Sequence, residues 1–434
     1  MKVINSSQIT SFGGLNFVLA EFESQGIGRM FNTHLPKLPM QSRFSWKDIF
    51  YSYWSIVYCG GDCAEDLAIH FKDDFKSNPF IKVPSPDRLL DRVKQLSEPS
   101  KIFKTDRGNK AHEFSLNDPL NLVNIKLLKK LRLLESTKNL TLDYDNTMLP
   151  AEKADTMMTY LNQRGYMPGV AFIGSQVVYI ENRNGNSDPQ TLQQDTLSRM
   201  FEMLAGQGIK IDRFRADSAS YQLSTLAVIS KNVNTFFIRT RMNESLSEAI
   251  SQIDNWSRLE NSAEEKEIYR GSTPFVPFQK IAARQKQQHL LTSCRLIITK
   301  EKRKDGQIDL FTGEAFQYYG IITNDDQMSD DQVVEFYNQR GASEREFDVL
   351  KNDFLWNHLP FSKLEQNTVF LLLMAMCKNL YNFIIKAFSQ KYAHLSPRFR
   401  MKKFRYRFIC IPAKWIRSGR TPKLRIYGTL PLKT

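Results

Sequence analysis

Residues 335–353 read EFYNQRGASEREFDVLKND and combine apolar residues at helical spacing with a regular row of polar residues. Tyr337, Glu344 and Lys351 are spaced seven residues apart, and Arg340 lies three residues after Tyr337. Seven residues make almost two helical turns, so on a continuous helix these four side chains share one stripe. The stretch therefore predicts a helix that carries Tyr, Arg, Glu and Lys along one line.

An apolar stripe runs directly beside this polar row, and it consists of Phe336, Phe347, Leu350 and Phe354. The polar side chains therefore border the buried face of the helix. Two interpretations remain open from the helix alone. It is either a surface helix whose Arg–Glu and Glu–Lys neighbours face only water, or a helix whose polar row reaches a site at the edge of the core.

The charge of the chain is unevenly distributed. The 434 residues include 60 Lys and Arg against 46 Asp and Glu, which gives a formal net charge of +14. Residues 386–434 contain 14 Lys and Arg and no Asp or Glu, so residues 1–385 carry 46 residues of each sign. Aromatic residues are interleaved with the basic ones, as in RFRMKKFRYRF (398–408). This pattern favours a nucleic-acid partner, with a solvated tail or binding to membrane lipid as the alternatives.

Cysteine spacing and apolar runs limit the class of protein further. The five cysteines are odd in number and match no zinc or disulfide spacing, which favours a reduced, intracellular protein. The longest apolar run, residues 369–377, is predicted to belong to a buried helix, because spanning a bilayer requires about 20 residues. The N-terminus has no apolar signal core, so we expect a cytoplasmic, nucleoid-associated protein without a membrane partner.

The first part of the chain is predicted to be helical. Two helices are expected on either side of Gly60–Gly61, and a third begins at Ser85 and Pro86, which suit an N-cap and a first helical position. Three short helices with a tight turn fit a helix-turn-helix module that binds DNA. They fit a helical cap without DNA contact equally well.

After residue 137 the apolar period changes from that of helices to that of strands. NLTLDYDNT (139–147) alternates in polarity and places Asp143 and Asp145 on one face. Strand, strand, helix, strand, helix and strand patterns follow, which predicts a mixed sheet with helices packed against it. A strand-rich insertion comes next, with a hairpin predicted around Asp305–Gly306.

Three carboxylates lie where sites form in α/β proteins. Asp145 lies on the first strand, Asp217 ends a later strand, and Glu344 is on the helix after the insertion. Three oxygen ligands suit Mg²⁺ or Mn²⁺, and a pair of such ions can clamp the attacking and leaving oxygens of a phosphodiester. Sequence separation alone does not show that the three converge, because the chain has 46 acidic residues.

The spacing Tyr337-x2-Arg340-x3-Glu344-x6-Lys351 resembles the Y-(2)-R-(3)-E-(6)-K pattern of bacterial insertion-sequence DDE transposases of the IS4 superfamily. LDYDNT and RADS resemble the strands that carry the two aspartates in that group. RGYMPGVAFIG, ENRNGN and RFRMKKFRYRF resemble segments of its IS1380-type branch. The resemblance extends over most of the chain, from the first predicted helices to the basic C-terminal region.

This resemblance implies an α/β fold with a ribonuclease H-like mixed sheet, flanking helices, a β-rich insertion and an N-terminal helical domain. The implied regions are an N-terminal helical DNA-binding region (1–135), the first part of the catalytic core (136–242), the β-rich insertion (243–325), the second part of the core with the Glu helix (326–390) and a basic DNA-contacting region (391–434).

The resemblance also implies that Asp145, Asp217 and Glu344 form a catalytic triad that holds two Mg²⁺ or Mn²⁺ ions. Asp143 shares a face with Asp145 and is the alternative first ligand. Asp145 is preferred because Thr147 follows it at the offset usual in the family. The residues implied to contact DNA are aromatic or basic, and they are Tyr337, Arg340, Lys351, Arg400, Lys402, Lys403, Arg405 and Arg407.

The implied activity is transposition, in which phosphodiester bonds are cut at the element ends and the freed 3′-OH ends are joined to target DNA. The implied partners are double-stranded DNA, as inverted-repeat ends and as target, and a second copy of the chain on that DNA. No small-molecule substrate is expected. The alternatives are a nuclease of the same fold that does not insert DNA, and a DNA-binding regulator derived from a transposase.

Overall fold

The computed structural model describes residues 8–76, 78–105, 110–134, 139–259, 267–303, 305–308, 313–419 and 421–433. Within these ranges the α-helices are α1 (Gly13–Ser24), α2 (Ile27–His34), α3 (Trp46–Cys59), α4 (Asp66–Ile69), α5 (Lys72–Lys76), α6 (Pro86–Lys94), α7 (Asp118–Lys130), α8 (Gln193–Gly206), α9 (Leu223–Asn232), α10 (Glu244–Ser251), α11 (Gln279–Gln285), α12 (Asp330–Asn338), α13 (Gly341–Asp353), α14 (Leu364–Lys391) and α15 (Met401–Phe404).

The strands within the same ranges are β1 (Lys101–Lys104), β2 (Ala111–Ser115), β3 (Thr141–Asn146), β4 (Leu149–Pro150), β5 (Met157–Met158), β6 (Arg164–Tyr166), β7 (Gly169–Ile173), β8 (Gln176–Arg183), β9 (Arg213–Ala216), β10 (Thr235–Arg239), β11 (Ser257–Arg258), β12 (Ile268–Phe275), β13 (Cys294–Lys302), β14 (Phe316–Thr323), β15 (Ala413–Ser418) and β16 (Thr421–Ile426).

Eleven strands of the described ranges form one mixed sheet in the order β1-β2-β8-β7-β3-β9-β10-β14-β13-β12-β11. β8, β7 and β3 form an antiparallel meander, whereas β3, β9 and β10 run parallel to one another. β14 then joins β10 in the antiparallel direction. The predicted α/β class with a mixed sheet is confirmed, and α8 and α9 lie between the strands that the sequence pattern indicated.

The sheet lies between two apolar cores. On β3, Leu142 and Tyr144 belong to a core that includes residues of α8 and α9. On the neighbouring β7, Val170 and Phe172 belong to a second core, which includes residues of α3 and α14. Because side chains alternate along a strand, the polar residues of β3 face away from the α8–α9 core.

Helix α14 is the centre of the second core. The apolar run 369–377 was predicted to belong to a buried helix, and this prediction is confirmed, with α14 extending over 28 residues. Among the described helices, α14 is the one long and apolar enough to cross a membrane, but 89% of its most apolar segment is buried inside the protein. Trp54 of α3 donates from Nε1 to the Leu373 carbonyl of α14 at 3.0 Å, and Phe404 and Phe408 from the C-terminal region join the same core. Packing against both ends of the chain thus explains the apolar composition of this helix.

Asparagine side chains cover the edge of β8 where it has no strand beside it. Asn121 of α7 accepts from the Ile180 N–H at 2.9 Å and donates to the Ile180 carbonyl at 2.8 Å. Asn379 of α14 forms the same pair of bonds with Val177, at 2.9 and 2.8 Å. Two helices therefore satisfy backbone groups that would otherwise be buried without partners.

The strand-rich insertion continues the main sheet. β13 pairs antiparallel with β14 from Arg295↔Thr323 to Lys302↔Phe316, so these two strands form a hairpin whose connection includes Asp305–Gly306. The second strand of this hairpin begins at Phe316 and not directly after Gly306. Residues 305–308 lie in the connection between these strands, and residues 304 and 309–312 of that connection lie outside the described residues. The pairing follows composition, because FQYYGIIT is rich in aromatic and β-branched residues, whereas DGQI is mostly polar.

We expect Asn379→Ala to lower the free energy of unfolding by about 1–3 kcal/mol, because it leaves the buried N–H of Val177 without its partner. The Val177 carbonyl keeps one donor, since Asn124 also donates to it at 2.8 Å. Gln390→Ala, at an exposed position of the same helix, should change the free energy of unfolding by less than about 0.5 kcal/mol. Urea unfolding followed by circular dichroism measures both values. Equal effects of the two substitutions would contradict this role of Asn379.

Candidate active site

Two carboxylates lie side by side at the ends of neighbouring strands. β3 and β9 are parallel with Tyr144 opposite Ala216, so the next residues, Asp145 and Asp217, follow at adjacent positions of the sheet. The Asp217 carboxylate accepts from the Ala219 N–H at 2.9 Å and caps a short 3-10 turn. The two aspartates that the sequence predicted as site residues are therefore brought together by strand register.

Asp143 is already engaged in a buried ion pair. Arg215, its partner across the β3–β9 ladder, donates from Nε and Nη2 to the two carboxylate oxygens at 2.6 and 2.8 Å. Burial raises the pKa of Asp143, and the Arg215 guanidinium opposes that rise. Arg215 also donates from Nη1 to the Phe336 carbonyl of α12 at 2.7 Å, so the same guanidinium attaches α12 to the sheet.

The helix predicted over residues 335–353 is interrupted, and the prediction of one continuous stripe is wrong. The chain forms α12 and α13 with a break at residues 339–340. The Arg340 N–H donates to the Tyr337 carbonyl at 2.8 Å, three residues back. The Phe336 carbonyl, the usual i−4 acceptor for that N–H, is occupied by Arg215. Gly341 has low helix propensity and follows the break directly.

The break directs Arg340 towards the strand ends. Its Nη1 lies 2.9 Å from Oδ2 of Asp145, and the side chains are 13% and 16% exposed respectively. Burial raises the pKa of Asp145 to about 6, with Arg340 opposing the rise and the charge of Asp217 adding to it. Burial alone would lower the pKa of Arg340, but Asp145, Tyr337 and Asp217 together outweigh it and the net shift is upward.

Tyr337 lies behind this ion pair. Only 8% of it is exposed, and burial raises the pKa of its hydroxyl, which interacts with Arg340. The positive charge of Arg239 opposes that rise. Arg241, two residues further along the chain, donates from Nε to the Ser218 hydroxyl at 3.3 Å. Sequence reasoning missed these two arginines, although FIRTR places both at the end of β10, next to the strand that precedes Asp217.

Glu344 and Lys351 are less closely associated with the strand ends. Glu344 is exposed in the first turn of α13, and in the described residues the three predicted ligands do not lie within 4.8 Å of one another. Lys351 is half-buried in the last turn of that helix, and burial lowers its pKa. The structure thus unites Asp145 and Asp217 with Arg340 and leaves Glu344 outside this contact.

The basic residues predicted to bind DNA in the C-terminal region differ in their surroundings. Arg400 forms ion pairs with Asp348 at 2.6 Å and Asp353 at 2.9 Å. Arg405 is half-buried and donates to carbonyl oxygens at the end of α3. The remaining three are exposed, and they are Lys402, Lys403 and Arg407.

A mixed sheet that ends in two adjacent carboxylates defines an α/β protein with an acidic site suited to a divalent cation. The family model described as "Transposase DDE domain group 1" matches residues 3–434, and the chain belongs to this family. The predicted DDE transposase is thereby confirmed, and DDE transposase domains depend on divalent metal ions.

Comparison with individual proteins adds little to the family assignment. No curated protein matches the chain. Among solved structures, the chain is similar to a piggyBac transposase synaptic complex with hairpin DNA, determined by cryo-EM. The two share 12% sequence identity with a TM-score of 0.43, and the match covers 92% of this chain and 79% of that chain.

The environment of Asp145 predicts two opposite pKa changes. Arg340→Ala should raise its pKa above about 6, because the charge that favours the carboxylate is lost, whereas Asp217→Asn should lower it. Selective ¹³C labelling and an NMR titration of the aspartate carboxyl carbons, with Asp145→Asn for assignment, measure both. Arg345→Ala, at an exposed position of α13, is the matched control and should leave the pKa unchanged.

The raised pKa of Asp145 determines whether its contribution to stability is gained or lost as pH rises. The pKa of Asp145 is raised from its ordinary value of 3.8 to about 6. Its contribution to the free energy of unfolding is therefore fully present below pH 3.8 and is lost as pH rises through about 6. A titration of Asp145 near its ordinary value would contradict the burial and pairing described above.

Proposed function

We propose that this transposase acts on an insertion sequence of the IS1380-type branch of the IS4 superfamily. It cuts phosphodiester bonds at the element ends and joins the 3′-OH ends to target DNA. The observation that carries the proposal is the pair Asp145 and Asp217 at adjacent strand ends, in a chain whose family match spans residues 3–434. Because two ends must be held together, a homodimer on DNA fits this activity.

A ribonuclease H-like catalytic core is part of this proposal. The strand order β8-β7-β3-β9-β10 supports it, since an antiparallel meander is followed by two parallel strands. Helices α8 and α9 connect these strands in the expected order. The region β11–β14 then enters between β10 and the helix that carries Glu344, where the β-rich insertion is expected.

The donor set fits Mg²⁺ or Mn²⁺, with two ions per active site. Asp145 and Asp217 offer carboxylate oxygens at one end of the sheet, and such hard ligands suit these ions. When bound, the ions lower the pKa of a coordinated water molecule and stabilise the leaving oxygen. Glu344 is the third proposed ligand, and it reaches the aspartates if the first turn of α13 moves towards them. Asp143 is not assigned as a ligand, because Arg215 occupies both of its oxygens.

Arg340 has two competing partners in this proposal. It contacts Asp145 in the structure, and a DNA phosphate offers its guanidinium an equally charged, bidentate acceptor. Transfer of Arg340 to a phosphate leaves the Asp145 carboxylate free for a cation. Tyr337, which is buried against Arg340, holds the guanidinium at the strand ends. Lys351 then serves as a point charge for a more distant phosphate.

The decisive test of the function is a strand-transfer assay. Purified protein is incubated with Mg²⁺, a supercoiled target plasmid and linear DNA that carries the repeats flanking its own gene. Joined products whose 3′ ends are attached to target strands support the proposal. Cleavage without joining indicates the related nuclease, and end binding without cleavage indicates a regulator. Either outcome would refute transposition.

Asp145→Asn and Asp143→Asn both remove a carboxylate from the same face of β3, but we expect the first to affect metal binding and the second to affect stability. Asp145→Asn should abolish Mn²⁺ binding and cleavage while DNA binding persists, because the hard ligand is lost and the basic surfaces remain. Asp143→Asn should destabilise the protein by about 3–5 kcal/mol, because Arg215 is left buried without its partner. Electron paramagnetic resonance of Mn²⁺ and thermal unfolding separate the two effects. Loss of Mn²⁺ binding in Asp143→Asn alone would reverse the assignment.

Lys351 provides a second test that does not require turnover. Lys351→Arg should retain part of the affinity for element ends, whereas Lys351→Glu should weaken binding strongly, because a point charge next to a phosphate is reversed. Binding is measured in Ca²⁺ by fluorescence anisotropy. Wild-type affinity of Lys351→Glu would exclude Lys351 from the DNA interface.

A further inference from the structure

The hairpin formed by β5, β6 and the turn between them exposes a group of large apolar side chains. The exposed fractions of these four side chains lie between 48% and 59%, and the residues are Met157, Met158, Tyr160 and Leu161. Soluble proteins seldom expose large apolar side chains as a contiguous group, and such a group marks an interaction surface. The β5–β6 hairpin therefore carries a candidate contact surface that is separate from the carboxylates.

Hydrogen bonds hold the turn of this hairpin in one conformation. The Thr159 N–H donates to the Gln163 carbonyl at 2.9 Å, and the Asn162 N–H donates to the Thr159 carbonyl at 3.1 Å. The Thr159 hydroxyl donates to the same Gln163 carbonyl at 2.9 Å and accepts from the Leu161 N–H at 3.3 Å. Asn162 has a φ of 58°, in the left-handed region that turns often require. The turn thus fixes Tyr160 and Leu161, called the apex from here on, at the exposed end of the hairpin.

The hairpin emerges from the edge of the main sheet that holds Asp145. β4 begins four residues after Asp145 and pairs with β6, which in turn pairs with β5. β6 is followed by β7, whose first residue, Gly169, lies opposite Asn146. Both ends of the small sheet β4–β6–β5 are therefore attached next to Asp145. Leu161 precedes Gly169 by eight residues, so the apex lies at most about 26 Å from the strand end.

The size and the charge of this surface favour DNA over a second copy of the chain as the partner. A stable protein interface takes about 20–30 residues from each side, whereas this surface has four exposed apolar residues. Residues 156–164 contain Arg164 and no Asp or Glu. Arg164 is exposed, and its guanidinium donates to the Thr156 carbonyl. A polyanion therefore meets no negative charge from this segment when it approaches the apex.

We propose that the apex, Tyr160 and Leu161, enters the base stack of DNA beside the phosphodiester bond that is cut. This inference rests on the proposed function, which places DNA at Asp145 and Asp217. Apolar side chains such as Leu and Met can separate neighbouring base pairs and kink a duplex. An aromatic ring can stack on any unpaired base, because every base has a π-face. Leu161 then separates the bases, and the Tyr160 ring covers the base that has lost its neighbour.

Binding of the full-length protein to paired and mismatched DNA tests this proposal without turnover. Two fluorescent duplexes carry the repeats that flank the gene, and one of them has mismatched pairs at the element boundary. Because mismatched bases are already partly unstacked, wild-type protein in Ca²⁺ should bind the mismatched duplex about tenfold more tightly than the paired one. The double variant Tyr160→Ala with Leu161→Ala should bind both duplexes equally. A 2-aminopurine base at the boundary, whose fluorescence rises when it is unstacked, should brighten with wild-type protein and not with the double variant.

Two further variants separate the apex from general effects of apolar surface. Ile102→Ala removes another exposed apolar side chain, on the edge strand β1, which three strands separate from β3. This variant should keep the preference for mismatched DNA. Tyr160→Phe keeps the aromatic ring and should keep the preference as well. Thermal unfolding checks each variant, and the two single alanine variants replace the double variant if it fails to fold.

Loss of the preference in the double variant, with retention in Ile102→Ala, supports the proposal. Equal affinity of wild-type protein for the two duplexes overturns it and leaves the proposed function in place, and so does a preference that the double variant keeps. Loss of the preference in Ile102→Ala as well also overturns it. A dimer that forms without DNA and is lost in the double variant, as measured by analytical ultracentrifugation, overturns it in favour of a second copy of the chain. If wild-type protein binds neither duplex, the proposed function itself is refuted.

Discussion

The buried ion pair between Asp143 and Arg215 is the interaction on which the candidate site depends. The two residues are register partners on β3 and β9, and the guanidinium contacts both carboxylate oxygens. Because Arg215 also donates to the Phe336 carbonyl, it attaches the last turn of α12 to the sheet, directly before the break at residues 339–340. Arg340 is then turned towards Asp145. The Arg215 guanidinium therefore connects β3, β9 and the end of α12 next to the site.

The helix that carries Glu344 is held from its other side by a second buried charge. Lys378 of α14 lies 2.6 Å from Glu346 of α13 and also donates to the Ser175 carbonyl. Burial lowers the pKa of Lys378, while Glu346 opposes that shift. The ring of Phe347 packs against Phe172 at 5.2 Å. These contacts anchor the middle of α13, directly after the turn that carries Glu344.

The C-terminal basic residues that account for the net charge of +14 lie partly within the packed protein and partly at its surface. Arg400 and Arg405 stabilise the packing of the C-terminal region on α13 and α3. Phe404 and Phe408 bury the same region in the core around α14, so the basic region is part of the folded protein and not a loose tail. Exposed basic residues of the same region include Lys386, Arg398, Lys402, Lys403, Arg407 and Arg425.

The sequence by itself determined the features that depend on local spacing. Alternation in LDYDN predicted β3 with both aspartates on one face, and the order of strands and helices predicted the mixed sheet. Only the tertiary structure showed that Asp143 is engaged in a buried ion pair, because its partner Arg215 lies 72 residues away in the sequence. It also decided that the predicted Glu helix breaks, since the contact of Arg340 with Asp145 spans 195 residues. Periodicity is a local property of the chain, whereas ion pairs between distant residues depend on strand register and on packing that no short stretch encodes.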